Sequence, residues 1–371
     1  MNSLNSQQTK KPELSLLNII SCMLVILIHI ISYTVYAYPE KSIMFNLFLF
    51  MWRSASIAVQ CFLMLAGIKF FVAKKDEMPY LKYIGSRIKK IVLPYSICFI
   101  AYYLLYMLLY DYPFDIAFIL RNFFNGNLIY HFYFIPLILQ FDLLSPLWKK
   151  IINHVPASIS IPTAVILTMI FQDDLPRLIN SIFPEHNFFY NDRLFTTYLA
   201  FYLIGGYIGK NYERFKNILK NSRKIIFHIW IILFLLFCIY TYIFYNNISH
   251  VSFMNPVHTL YTFATLLMLF LFAFLKAPSL MANSRILNSI DSVSYHIYLW
   301  HVFLILLANL FIDNLKWTSE YPALTLLLRV ILIYPTTISL CSLFFRLYKK
   351  SIKKSDPRMK SFVKKIPLTF K

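Results

Sequence analysis

Glu13-Leu14-Ser15-Leu16-Leu17-Asn18-Ile19-Ile20-Ser21-Cys22-Met23-Leu24-Val25-Ile26-Leu27-Ile28-His29-Ile30-Ile31 opens an apolar run that continues to about residue 37. About 20 apolar residues of α-helix cross a bilayer. The run is too long for a cleavable signal peptide, and no small-residue cleavage site follows it. It therefore reads as a first transmembrane helix. Nine further apolar stretches follow, at about 43–71, 91–110, 130–148, 155–171, 194–209, 224–245, 257–275, 293–312 and 322–345. Pro136, Pro146 and Pro156 interrupt the fourth and fifth. The expected fold is all-α: a polytopic membrane protein of about ten helices. Residues 1–12 form a short N-terminal segment, 13–348 the membrane domain, and 349–371 a basic tail.

Composition agrees. The chain is 59% apolar and 14% charged, against about 45–50% and about 25% in soluble domains. Mean hydropathy is +0.60. Six glycines in 371 residues argue against glycine-rich nucleotide-binding folds. The 36 Phe and 27 Tyr exclude intrinsic disorder. The five cysteines all sit in apolar runs without metal-ligand spacing; they read as buried small hydrophobes, with no disulfide and no metal site.

The net charge of +20 would suit nucleic acid, but no soluble domain is present to offer it. Its distribution gives another reason. Alternate connections gather Lys74, Lys75, Lys82, Arg87, Lys89 and Lys90, then Lys149 and Lys150, then the Lys210–Lys224 cluster and the tail. The opposite connections hold most of the acids, among them Asp111, Asp115, Asp173, Asp174 and Asp313. The positive-inside rule then puts both termini in the cytoplasm. The basic tail is expected to lie on anionic lipid.

Ionisable groups at membrane depth are costly, so each is a functional candidate. His29 lies about 20 Å along the first helix, beyond the bilayer centre. Asn18 precedes it by eleven residues and shares its face. A hydrogen bond to a neighbouring helix is the structural alternative. Arg53 falls mid-span, with Glu13 or a ligand anion as candidate partner; a structural salt bridge is its alternative. Ser294, Tyr298 and His301 share one face of the ninth helix. Asp142 lies toward the inner end of the fourth, and His131 and Tyr133 at its outer end. Arg87 and Lys90 are one helical turn apart at the cytoplasmic surface, where two cations could clamp phosphates. The alternative is a plain positive-inside cluster, which composition alone favours.

These pieces stand in a familiar order. Glu13 to Asn18 and then His29 resemble an acid, an apolar helix start with a basic residue, and a His at the same distance. Phe62-Leu63-Met64-Leu65-Ala66-Gly67 is similar to a Phe-Phe-x-x-Ser-Gly motif. Arg87 to Lys90, ahead of Leu93-Pro94-Tyr95, resembles Arg-x-x-Arg before a proline. His131-Phe132-Tyr133-Phe134-Ile135-Pro136 is like a Leu-Trp-Phe helix start, and Ile297-Tyr298-Leu299-Trp300-His301 like Ile-Tyr-Leu-x-His. Over about residues 12–346 the sequence resembles the membrane-bound acyltransferase family 3, which O-acylates bacterial surface glycans. Gly206 to Arg214, Gln140-Phe141 and Cys61-Phe62 are similar to members that modify or export staphylococcal poly-N-acetylglucosamine.

The resemblance implies a bacterial cytoplasmic-membrane enzyme. Its donor would be cytoplasmic acyl-CoA, a co-substrate rather than a resident cofactor. The acyl group would be acetyl or succinyl, and the acceptor a hydroxyl of a surface polysaccharide. It implies His29 as catalytic base, Arg87, Lys90 and Arg53 as donor-binding residues, and Glu13, Asn18, Tyr298 and His301 as support. Arg53 or Tyr298 would face the oxyanion. Two positions depart from the family pattern: Asn18 stands where an arginine is usual, and Lys90 where a second arginine is. The competing expectation is a polysaccharide or lipid-linked sugar exporter. A structural place in a glycan-synthase complex is a third. No broken-helix pair or repeat symmetry favours a transporter.

Overall fold

A computed structural model describes residues 11–184, 190–248 and 254–355, and all their regular structure is helical. In chain order the helices are α1 (Pro12–Val35), α2 (Ile43–Ala55), α3 (Ala58–Val72), α4 (Tyr80–Arg87), α5 (Leu93–Tyr110), α6 (Ile116–Asn125), α7 (Phe134–Leu143), α8 (Ser145–His154), α9 (Ala157–Met169), α10 (Leu175–Ile182), α11 (Leu199–Lys210), α12 (Tyr212–Asn221), α13 (Arg223–Tyr245), α14 (Met254–Asn283), α15 (Arg285–Ile312), α16 (Trp317–Glu320) and α17 (Pro322–Ser355). Residues 356–371 of the basic tail lie outside the described residues, and with them most of the segment expected on anionic lipid.

Local chemistry sets several boundaries. Pro12 occupies the first turn of α1 and Glu13 follows it; a missing N–H and a negative charge both suit a helix N-terminus. The Ser42 hydroxyl accepts from Phe45 N at 3.1 Å and caps α2. Asp115 does the same for α6, from Phe118 N, and Ser284 for α15, from Leu287 N. Such caps satisfy amides that no helical carbonyl reaches.

Among the described residues, seven helical segments are long and apolar enough to cross a membrane: Pro12–Val35, Ile43–Val72, Tyr80–Tyr110, Arg223–Tyr245, Met254–Asn283, Arg285–Ile312 and Pro322–Tyr348. The second passes through a break at Ser56, and the third through a π-turn at Ile88–Val92. The other three expected spans are shorter helices. Stretch 130–148 becomes α7 and α8, parted at Leu144 just before Pro146; stretch 155–171 becomes α9, with Pro162 inside it; and 194–209 becomes a 3₁₀ turn and α11. Proline removes a backbone donor and crowds the preceding turn, so apolarity alone overstated the lengths of α7 and α9.

Helix α1 runs through the centre, against α2, α3, α14, α15 and α17. It lies parallel to α15, since Asn18 meets Ser294 while His29 meets His301. It is antiparallel to α17, whose Tyr334 hydroxyl donates to Met23 O and whose Arg329 lies over Tyr33. Helix α3 crosses α11 at backbone contact. A methyl on Gly67 would fall 2.3 Å from Tyr202 O, and one on Gly205 would fall 2.2 Å from Met64 O. Small residues allow such approach between membrane helices. The five cysteines are free thiols, four of them buried.

Candidate functional site

Three histidines from distant parts of the chain meet beside the C-terminal part of α1. His29 comes from α1, His301 from α15, and His131 from the turn before α7. The His29 and His301 rings stack at 5.2 Å, those of His131 and His301 lie 4.8 Å apart, and those of His29 and His131 lie 6.2 Å apart. Tyr130 covers the other side of His29, ring to ring at 4.6 Å.

The hydrogen bonds assign two tautomers. His301 Nδ1 lies 2.8 Å from Tyr298 O and 3.2 Å from Ile297 O. A carbonyl only accepts, so Nδ1 carries the proton and Nε2 keeps a lone pair. Likewise His131 Nε2 donates to Leu299 O at 3.4 Å, which leaves the lone pair on Nδ1. His301 Nε2 and His131 Nδ1 are both buried without a hydrogen-bond partner. His301 and His131 are sealed from solvent, while His29 is half-buried. His29 is therefore the member of the trio that a ligand can reach.

A narrow cavity lies between Tyr298, which packs against His131 and His301, and the end where α1 begins; none of the three histidines lines it. Its walls include Asn18, Phe62, Leu65, Lys69, Phe134, Ser294 and Tyr298. Asn18 spends both amide protons there, on Asp291 Oδ1 at 3.0 Å and Ser294 Oγ at 2.7 Å. It clamps α1 to α15. A ligand anion would have to compete with Asp291 for those protons.

Cations gather at the cavity's α1 end. Lys69 lines the wall. Lys75, in the turn after α3, lies among Arg87, Lys69 and Lys90. Burial, then the field of Arg87, pull the Lys75 ammonium well below the usual lysine range; nearby Asp142 opposes this and the remaining lysines add to it. Arg87 is buried. Its Nε donates to Asp142 Oδ2 at 2.6 Å, and Tyr83 donates its hydroxyl to the other carboxylate oxygen. Lys69, Lys75, Arg87 and Lys90 thus gather near Asp142, a concentration of positive charge that suits an anionic ligand. Lys90 follows Arg87 across the π-turn, so the spacing of a plain helix does not govern the pair.

Three expected roles change. Tyr298 donates its hydroxyl proton to His131 O; it fixes His131 and has no proton left for an oxyanion. Glu13 is buried and accepts from Tyr212 at 2.9 Å; it ties α1 to α12, and Arg53 is not its partner. Arg53 lines a second cavity that shares no lining residue with the first. Conversely, the sequence reading gave no role to His131, Asp142, Lys69 or Lys75. His131 and Asp142 carried a visible signal, as ionisable groups in an apolar stretch.

The family model described as an acyltransferase domain matches residues 11–346. No curated protein and no solved structure matches the chain.

Proposed function

The chain belongs to acyltransferase family 3, a membrane acyltransferase, and from that premise we propose that it moves an acyl group from coenzyme A to a sugar hydroxyl. One observation carries the reading. A half-buried histidine lies beyond Tyr298, one wall of a narrow cavity, and a cluster of cations gathers by Lys69 on another.

The coenzyme's phosphates dock at Lys69, Lys75, Arg87 and Lys90. Its thioester arm follows the wall of Phe62, Leu65 and Phe134 toward His29. The acceptor hydroxyl arrives from the opposite end, past Tyr130. His29 takes the hydroxyl proton, and the oxygen attacks the thioester carbonyl. The new C–O ester bond forms as the C–S bond breaks, and the departing thiolate regains a proton as free thiol. A neutral imidazole suits this task near pH 7. His131 and His301 pack against His29, each with one ring nitrogen free of hydrogen bonds, and their neutral rings surround the imidazolium that His29 becomes.

The acceptor fitting the family resemblance is a polysaccharide of the cell surface. The test compares glycan esters in a deletion strain and in one carrying His29→Ala. Lost O-acyl groups on polymer that is still exported support the reading. Intracellular accumulation of unexported polymer would instead assign the chain to export.

A further inference from the structure

Away from the histidines, a second cavity of about 410 Å³ lies between α2, α13, α14 and the segment joining α9 to α10. It is lined by Arg53, Arg177, Asp173, Asn255, Phe244 and Tyr245, together with Met254. Its volume is in the range of ligand sites.

The charges inside it do not balance. Asn255 donates its amide to Asp173, and neither guanidinium forms a salt bridge among the described residues. Arg53 Nε is buried and has no hydrogen-bond partner. Ring faces are its neighbours: Trp52 at 6.0 Å and Tyr245 at 5.7 Å. Behind it, His258 Nε2 is also buried and unpartnered. An arginine at membrane depth is expensive unless an anion or water meets it. The cavity is the direction from which an anion can come.

The surroundings say what kind of anion. Helix α13 is the least buried of the seven long helices, with 11% of its apolar window covered. Its Phe244 is exposed beside the cavity, near the end of the span, so the opening has an apolar flank next to a charged connection. The site offers two guanidinium groups for an oxyanion and an apolar flank for a chain attached to it.

We propose that this cavity binds the phosphate headgroup of an anionic membrane lipid, held by Arg53 and Arg177, with its acyl chains along Phe244. Asp173, fixed by Asn255, sets the limit of the headgroup pocket. The site is separate from the acyl-transfer path and does not depend on the activity proposed for it.

Native mass spectrometry of the full chain in neutral detergent tests this directly. Phosphatidylglycerol should remain bound where phosphatidylcholine does not. Arg53→Gln and Arg177→Gln should each weaken retention by about tenfold, the loss of one charge-assisted contact. Lys75→Met, in the other cation cluster, should leave it unchanged. Arg177 is exposed at the rim, so Arg177→Gln keeps the test decisive even if Arg53→Gln fails to fold. Equal retention of the neutral lipid overturns the proposal, as does undiminished phosphatidylglycerol binding in Arg177→Gln. Inorganic phosphate that displaces the lipid at matched concentration would assign the site to a free anion and overturn the lipid as its occupant.

Discussion

His131 and His301 are anchored to the same turn of α15. His301 Nδ1 donates to Tyr298 O and His131 Nε2 to Leu299 O, carbonyls of adjacent residues. Each ring therefore turns its unprotonated nitrogen away from α15, and the two rings stand 4.8 Å apart. A single turn of helix thus sets the tautomers that surround His29.

Because His29 is the reachable member, His29→Ala should lower acyl transfer by about 10²–10⁴-fold, the usual worth of a positioned base. The protein should remain inserted and abundant. Acyl transfer from radiolabelled acetyl-CoA in isolated membranes measures this, and full activity would remove His29 from the mechanism.

His301→Gln should lower kcat and leave the donor KM unchanged, since His301 neither lines the cavity nor belongs to the cation cluster. Combined with His29→Ala it should add little, because groups acting as a unit are not additive. A multiplicative double mutant would show that His301 acts independently.

The buried Arg87–Asp142 pair gives a stability prediction. Asp142→Asn leaves a buried guanidinium short of charge, which costs about 3–5 kcal/mol. Thermal unfolding in detergent should show that loss. Asp142→Asn combined with Arg87→Met should recover part of it, while the donor KM stays raised.

Lys75 gives a pH prediction. Its ammonium lies below the usual lysine value in the folded chain, so the unfolded chain binds more protons between the two values. Ligand-free stability therefore rises with pH across that window and is lowest below the folded value. An arriving phosphate reverses the penalty by favouring the charged form. Donor binding should draw in protons from a weakly buffered solution, and the donor KM should rise as pH climbs past the depressed value. Lys75→Met should flatten both responses.

Gly205→Ala gives a packing prediction. A methyl there would sit 2.2 Å from Met64 O, so α3 and α11 must separate. Overpacking typically costs about 1–3 kcal/mol. Because α3 carries Phe62, Leu65 and Lys69 into the cavity, the variant should also raise the donor KM. An unchanged melting temperature would disprove the close crossing.

Much of this was legible in the chain. Length and apolarity located the seven long segments, and the helical period put Asn18 and His29 on one face. The eleven-residue spacing could not show that Asn18 would be occupied by Asp291, 273 positions later. Partners are set by which helices pack together, and apolar helices carry almost the same pattern on every side. For that reason Arg53 read equally well as a donor ligand or as half of a salt bridge. His131 opens a stretch that reads as one span interrupted by Pro136 and Pro146, and that pattern does not show the turn before α7 that brings it to His301.

The clamp at Asn18 and the ring of His29 are separated by eleven residues, about 16 Å of helix. That interval acts as a ruler. In the proposed reaction, a thioester tethered at the cations would reach the imidazole only on an arm of matching length. A phosphopantetheine arm spans it, whereas acetyl phosphate or a thioester on a short amine stub stops before the base. The protein would then choose its donor by reach rather than by the shape of the acyl group.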